Sequence, residues 1–170
     1  DGELEARTIT RLANGTLSAG PDNRVWSASA QLNATTYTSR NIFYLRRQTT
    51  PTGINTSLAA FNWANINSDA DATALLNHFN RFCEQGTIPT QCAALTPEQK
   101  TAAKGENLVN FLRGDRSQEG SLYRSRESVL GDIVDASPVF VGPPPFNYTG
   151  QDYPAYKSAQ INRCPMVYVA

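Results

Sequence analysis

Histidine occurs once in these 170 residues, methionine once, lysine three times and cysteine three times. A zinc centre needs more ligands than one histidine and scattered cysteines supply. His78 also has no accompanying Ser-His-Asp order, no G-x-S-x-G and no phosphate-cradling glycine loop, so catalytic chemistry lacks its usual parts. An excess of charge is absent as well: 15 basic residues stand against 15 acidic ones. That balance argues against a nucleic-acid binder and against electrostatic attachment to a membrane. Long apolar runs are missing too. The longest are a few residues, as in Val139-Phe140-Val141, so nothing is expected to span a bilayer. The chain opens Asp1-Gly2-Glu3, with no charged-then-apolar leader, and is expected to be a mature product or an excised piece.

Short polar residues are abundant. Asn, Ser and Thr number 14, 12 and 16, and Arg outnumbers Lys by 12 to 3. The former favour turns because they bond their own backbone, and the latter suits fixed planar ion pairs. Both fit a loop-rich, strand-rich extracytoplasmic protein.

Three segments follow from the patterning. Residues 1–68 are expected to be strand-rich: Trp26, Ala28, Ala30 and Leu32 alternate with polar residues, Ile42 and Tyr44 continue that period, and 46–68 reads as an irregular loop anchored by Phe61 and Trp63. Residues 69–114 read as a two-helix insertion. Ser68 is the expected cap of the first helix, whose stripe is Leu75, Leu76, Phe79, Phe82 and Cys83, with Gly86 as its stop. Thr96-Pro97-Glu98-Gln99 opens the second with a capping box, a bend is expected at Gly105, and Gly114 ends it. Residues 115–170 return to strands at Ile133-Val134, Val139–Val141 and Met166–Ala170, with a stiff Pro143-Pro144-Pro145 run and an aromatic loop between. The fold class is therefore α+β, antiparallel strands with a helical insertion. The last strand has no partner after it and is expected to be hydrogen-bonded to another strand, either locally around Val139–Val141 or from another chain, with the outside partner expected to be needed.

The most specific stretch is Val109-Asn110-Phe111-Leu112-Arg113-Gly114-Asp115, then Arg124-Ser125-Arg126, then Leu130-Gly131-Asp132-Ile133-Val134-Asp135-Ala136-Ser137-Pro138-Val139-Phe140-Val141-Gly142. Arg163 and Met166-Val167-Tyr168-Val169 follow. This resembles the PilC/PilY family of type IV pilus tip-associated adhesins and assembly factors, at the segment leading into their C-terminal β-propeller. Trp26-x-Ala28-x-x-x-Leu32 with Arg40-x-Ile42 is similar to what that family places upstream. The resemblance implies a non-enzymatic role in pilus assembly and in surface or host adhesion. Implied partners are the rest of the propeller, minor pilins and a host or surface receptor, at the pilus tip, the outer membrane surface or in the periplasm. It implies no cofactor in these residues and calcium only in the propeller beyond them. An extracellular brace without a ligand and, more remotely, a propeller enzyme are the alternatives.

Candidate site residues follow. Arg113-Gly114-Asp115 is a tripeptide that some integrins recognise, but at a helix end it is expected to be a structural turn with an ion pair, with receptor contact as the alternative. Arg124, Arg126 and Asp132 belong to a run of alternating charge that includes Arg113, Arg116, Asp115, Glu119 and Glu127, expected to form a pairing network rather than a phosphate patch. Cys83 and Cys92, separated by eight intervening residues in an exported chain, are expected to form a disulfide that leaves Cys164 over. Asn67, Asp69 and Asp71 open like a calcium loop, but Ala72 and His78 stand where its glycine and closing glutamate belong, so helix capping is the expected role.

Overall fold

The computed structural model describes residues 2–84 and 90–170, and every structural statement below concerns those residues. It is an α+β arrangement of short antiparallel strand pairs around a group of short helices.

Strand β1 (Glu5–Arg7) pairs with β4 (Arg24–Ser27), and β2 (Thr10–Arg11) with β3 (Leu17–Ser18); a turn at Asn14-Gly15 joins β2 to β3, and a 3-10 turn at Pro21–Asn23 precedes β4. After β4 the chain changes state. Trp26 is in a strand, but Ala28–Ala34 is helix α1, capped by the Ser27 hydroxyl accepting from the Ala30 amide. The period-two reading of 26–32 is corrected here. Alanine marks no face clearly, has the highest helix propensity, and follows a serine suited to an N-cap.

The span 46–68, read as an irregular loop, instead holds most of a hairpin and a helix, and the strand expected at Tyr44 is part of that hairpin. Strands β5 (Phe43–Thr50) and β6 (Gly53–Ala60) pair in unbroken register from Phe43–Ala60 to Thr50–Gly53. Helix α2 (Trp63–Ser68) follows, capped by Asn62. Ser68 therefore ends a helix instead of starting one, and Asp69 and Asp71 lie between α2 and α3 (Thr73–Asn80), whose N-cap position is Ala72. Gly86, the expected stop, lies outside the described residues.

The expected second helix is also divided. Beyond α4 (Thr90–Ala93), α5 (Pro97–Ala102) begins with the complete Thr96/Gln99 capping box, and α6 (Glu106–Arg113) starts afresh after Gly105, whose φ of +58° breaks the helix. Gly105 also sits under Trp63, where an added Cβ would lie 3.2 Å from the indole. Four helices, α3 to α6, thus occupy the span read as two.

These helices enclose the core: Ile66, Phe79, Ala103, Leu108, Val109, Leu122 and Tyr123, flanked by Tyr44, Phe61, Trp63, Leu75, Leu76, Phe82, Leu95 and Phe111. Ile66 and Val109 are fully buried, each stabilising the fold by about 1.5–3 kcal/mol. Leu75, Leu76, Phe79 and Phe82 of the apolar stripe read from the sequence, and the two anchors Phe61 and Trp63, belong to or pack against this core.

Beyond Tyr123 the chain is mostly irregular. Ile133-Val134 forms no strand; its backbone runs beside Gly2, where an added Cβ would meet Ile133 N at 2.6 Å. Strand β7 (Val139–Val141) pairs antiparallel with β8 (Met166–Tyr168) across helix α7 (Tyr153–Ala159). The last strand therefore pairs with the local candidate, Val139–Val141, and only the expected need for an outside strand is corrected. Both strands remain largely exposed, because a two-stranded ribbon has no second layer beneath it.

Candidate functional site

Helix α6 carries the most distinctive residues, and its end is built from three sides. Its apolar positions Leu108 and Val109 face the core, so Arg113 emerges where the last carbonyls need donors. Gly114 takes φ +106°, with its amide 2.9 Å from Phe111 O, and the Asp115 amide donates to Asn110 O at 2.9 Å. That bond pattern is a Schellman stop. Arg40 closes it from outside, donating from Nη1 to Arg113 O at 3.0 Å and from Nη2 to Leu32 O and Thr35 O at the end of α1. One guanidinium thus caps two helix C-termini. It lies so close over Gly114 that an added Cβ would sit 1.9 Å from Nη1.

The tripeptide is therefore a turn folded into the structure. Gly114 is buried, Arg113 lies over the Tyr37 ring at 5.7 Å, and Asp115 Oδ1 accepts from the Ser117 amide.

A second arginine clamps the following segment. Arg126 Cζ stands 3.8 Å above the Phe111 ring, which stacks in turn on Tyr123 at 4.4 Å. Its Nη1 donates to Phe111 O and its Nη2 to Asp115 O, both at 3.0 Å. Its Nε donates to Glu119 Oε1 at 2.7 Å, and Arg116 Nε reaches Glu119 Oε2 at 3.1 Å. Burial opposes ionisation of Glu119, but the hydrogen bonds from Arg126 and Arg116 outweigh it and hold the carboxyl below the usual range. Burial also pushes the Tyr123 phenol far upward; its hydroxyl donates to Ala103 O at 3.1 Å.

The network expected from the alternating charges thus centres on Glu119, with Arg126 and Arg116 as its cations. Arg124 and Asp132 line a neighbouring open groove together with Arg126. Sequence reasoning included Glu119 only as one charge among many, and it missed Arg40. The signal for Arg40 was its place in the Arg40-x-Ile42 match; its contact with Arg113 spans 73 positions and leaves no local trace.

Cys83 and Cys92 form a disulfide, with Cα atoms 5.5 Å apart and both residues buried beside the core. Cys164 is an exposed thiol and His78 is exposed on α3. Buried Asp69 accepts from the Tyr44 hydroxyl at 3.0 Å and from the Asp71 amide, with Arg46 Nε 3.3 Å away. Burial and the Asp69 carboxylate together raise the Tyr44 phenol. Asp69 and Asp71 are thus occupied in tying α2 and α3 to β5, Asp71 through the Thr49 amide. Among the described residues there is no cluster of three potential metal ligands, and no helix is long and apolar enough to cross a membrane.

What the arrangement does chemically is hold backbone. Arg40, Arg116, Arg126, Asp115 and Glu119 each bond a carbonyl, an amide or another charge of this chain, in the manner of a fixed scaffold.

No protein-family model matches the chain, and no solved structure matches it. Curated relatives do. A type IV pilus biogenesis factor PilY1 of Pseudomonas aeruginosa strain PAK is 30% identical over 177 residues, covering 99% of this chain and 13% of the relative. That of strain UCBPP-PA14 is 33% identical over 152 residues, 85% of this chain and 11% of the relative. A PilY1 homologue of Xylella fastidiosa is 42% identical over 78 residues, 40% of this chain and 6% of the relative. The chain therefore spans only about a tenth of the length of the relatives it matches. That relationship runs through the whole clamped helical core, and by it the chain belongs to the PilY1/PilC-like family of type IV pilus biogenesis factors.

Proposed function

We propose that the chain serves type IV pilus biogenesis as a non-enzymatic framework segment outside the cytoplasm. The observation that carries this reading is the match to PilY1 along 99% of its length. Arginine clamps and a buried disulfide accord with it, since a disulfide persists in an oxidising compartment. In this reading the segment leads into a β-propeller, with β7 and β8 as its first strands. The partners are the rest of that propeller, minor pilins and a surface or host receptor, at the pilus tip, the outer membrane surface or in the periplasm. Arg113-Gly114-Asp115 acts as the helix stop of the framework, because a recognition tripeptide needs a projecting loop and here Gly114 is buried under Arg40. Adhesion is assigned to exposed surfaces elsewhere. Calcium is assigned to the propeller and not to these residues.

A segment exchange tests the proposal. Pseudomonas aeruginosa PilY1 carrying this chain in place of its matching stretch is expected to be exported and to restore surface pili to a strain lacking its own factor. A chimera that is exported and folded but leaves the cells without pili contradicts it.

A further inference from the structure

Strand β6 has one paired edge and one bare edge. In an antiparallel ladder, residues directly opposite each other alternate between pairs that exchange both hydrogen bonds and pairs that turn both groups outward. The Thr49 amide donates to Asp71 Oδ2 at 2.5 Å, away from β6, so Thr49–Ile54 is an outward pair. The N–H and C=O of Ile54 therefore face away from β5, and by alternation so do those of Thr56 and Leu58. Among the described residues no strand but β5 pairs with β6, and every β6 residue except Ala59 is exposed.

Edge strands in monomers are normally protected by charge, proline or a bulge. Strand β6 has no charged residue and no proline, and its register with β5 is unbroken. Beside it lies a bare apolar face: Phe43, Leu45, Ile54 and Leu58 share one side of the hairpin and are each more than half exposed.

We propose that this edge is a strand-addition site whose occupant is β6 of a second copy, a surface separate from the pilus reading above. The outward groups fit a two-fold antiparallel pairing centred on Thr56. Thr56 then faces its own counterpart, Ile54 faces Leu58, and Leu58 faces Ile54, so apolar residues meet apolar residues on one side. On the other side Asn55 faces Ser57. An isologous contact requires such self-complementarity. Charge permits it: Arg47, across from Thr56, is the one charged residue on the apolar face. In the strand order β5-β6-β6-β5 it stands three strand spacings from its counterpart, about 14 Å, beyond the screening length of about 8 Å at physiological salt. The product is a four-stranded sheet with a continuous apolar face.

Sedimentation of the oxidised chain over a wide concentration range tests this, with T56K and T56E as paired variants. The Thr56 backbone bonds point away from β5, so both substitutions leave the hairpin's hydrogen bonds in place. T56K sets a like charge opposite Arg47, so circular dichroism and T56E, which sets an opposite charge there, check that loss of the dimer is not loss of the hairpin. The parent chain is expected to dimerise. Each variant alone is expected to lose the dimer, because the symmetry sets two like charges side by side, and an equal mixture is expected to regain it. A parent chain that stays monomeric, a dimer indifferent to T56K, or a mixture that stays monomeric overturns the proposal.

Discussion

Replacing Gly114 by alanine should cost far more than the loss of one glycine usually does, and Arg40 is the reason. Two costs add. An L-residue forced to a left-handed φ loses about 1–2 kcal/mol, and φ here is +106°. The new Cβ would also lie 1.9 Å from Arg40 Nη1 and 2.7 Å from its Cζ, so the guanidinium must leave. It then gives up the charged hydrogen bond to Arg113 O, an interaction worth about 1.5–3 kcal/mol. The sum, roughly 3–5 kcal/mol, is a large share of a typical domain's stability of about 5–15 kcal/mol. Denaturant unfolding of the oxidised chain measures it, and a double-mutant cycle with Arg40→Ala isolates the cause. With Arg40 already truncated, Gly114→Ala should cost only the backbone share, about 1–2 kcal/mol. An equal cost in both backgrounds would refute the steric coupling, and no cost in either would refute the left-handed stop itself.

Three further outcomes follow from the same contacts. Replacing Cys83 and Cys92 by serine should lower stability by about 2–3 kcal/mol, and non-reducing peptide maps of the parent chain should recover the two joined; free thiols at both positions would contradict the structure. Glu119 has its carboxyl held below the ordinary range, so its contribution is present above the unfolded value of about 4.3 and is lost as pH falls through the lower folded one. Glu119→Gln should therefore lower stability at neutral pH and flatten the acid limb of a stability-pH curve, and an unchanged acid limb would count against the clamp. Calcium should leave the thermal midpoint of this chain unmoved, since Asp69 and Asp71 are engaged by Tyr44, Arg46 and Thr49; a calcium-dependent rise would show an oxygen cage that the reading omits.

Local chemistry was legible in the sequence wherever a signal and its cause lie within a few residues. The Thr96/Gln99 box, the Gly114 stop and the apolar stripe of α3 are of that kind, each determined by neighbours three or four positions apart. The hairpin of β5 and β6 was hidden because period-two alternation reports burial of one face, and β6 buries neither. Helix α1 was misread because alanine satisfies both periods. Asp69 read as a capping residue because the sequence does not reveal that Tyr44 and Arg46, more than twenty positions earlier, converge on it. The capping role of Arg40 was lost for the same reason. A charge becomes a clamp only when the fold brings a carbonyl or a ring to it, and those partners lie on other elements.

Amide hydrogen exchange at Gly114 and Asp115 in the oxidised chain bears most directly on the framework reading. Both amides donate to α6 carbonyls beneath Arg40. They are expected to exchange with the slow set that includes Val109, at the rate of opening of the core. Exchange of Gly114 and Asp115 at the rate of an open loop, with Val109 still protected, would make the tripeptide a projecting tip and contradict its assignment as the framework's helix stop.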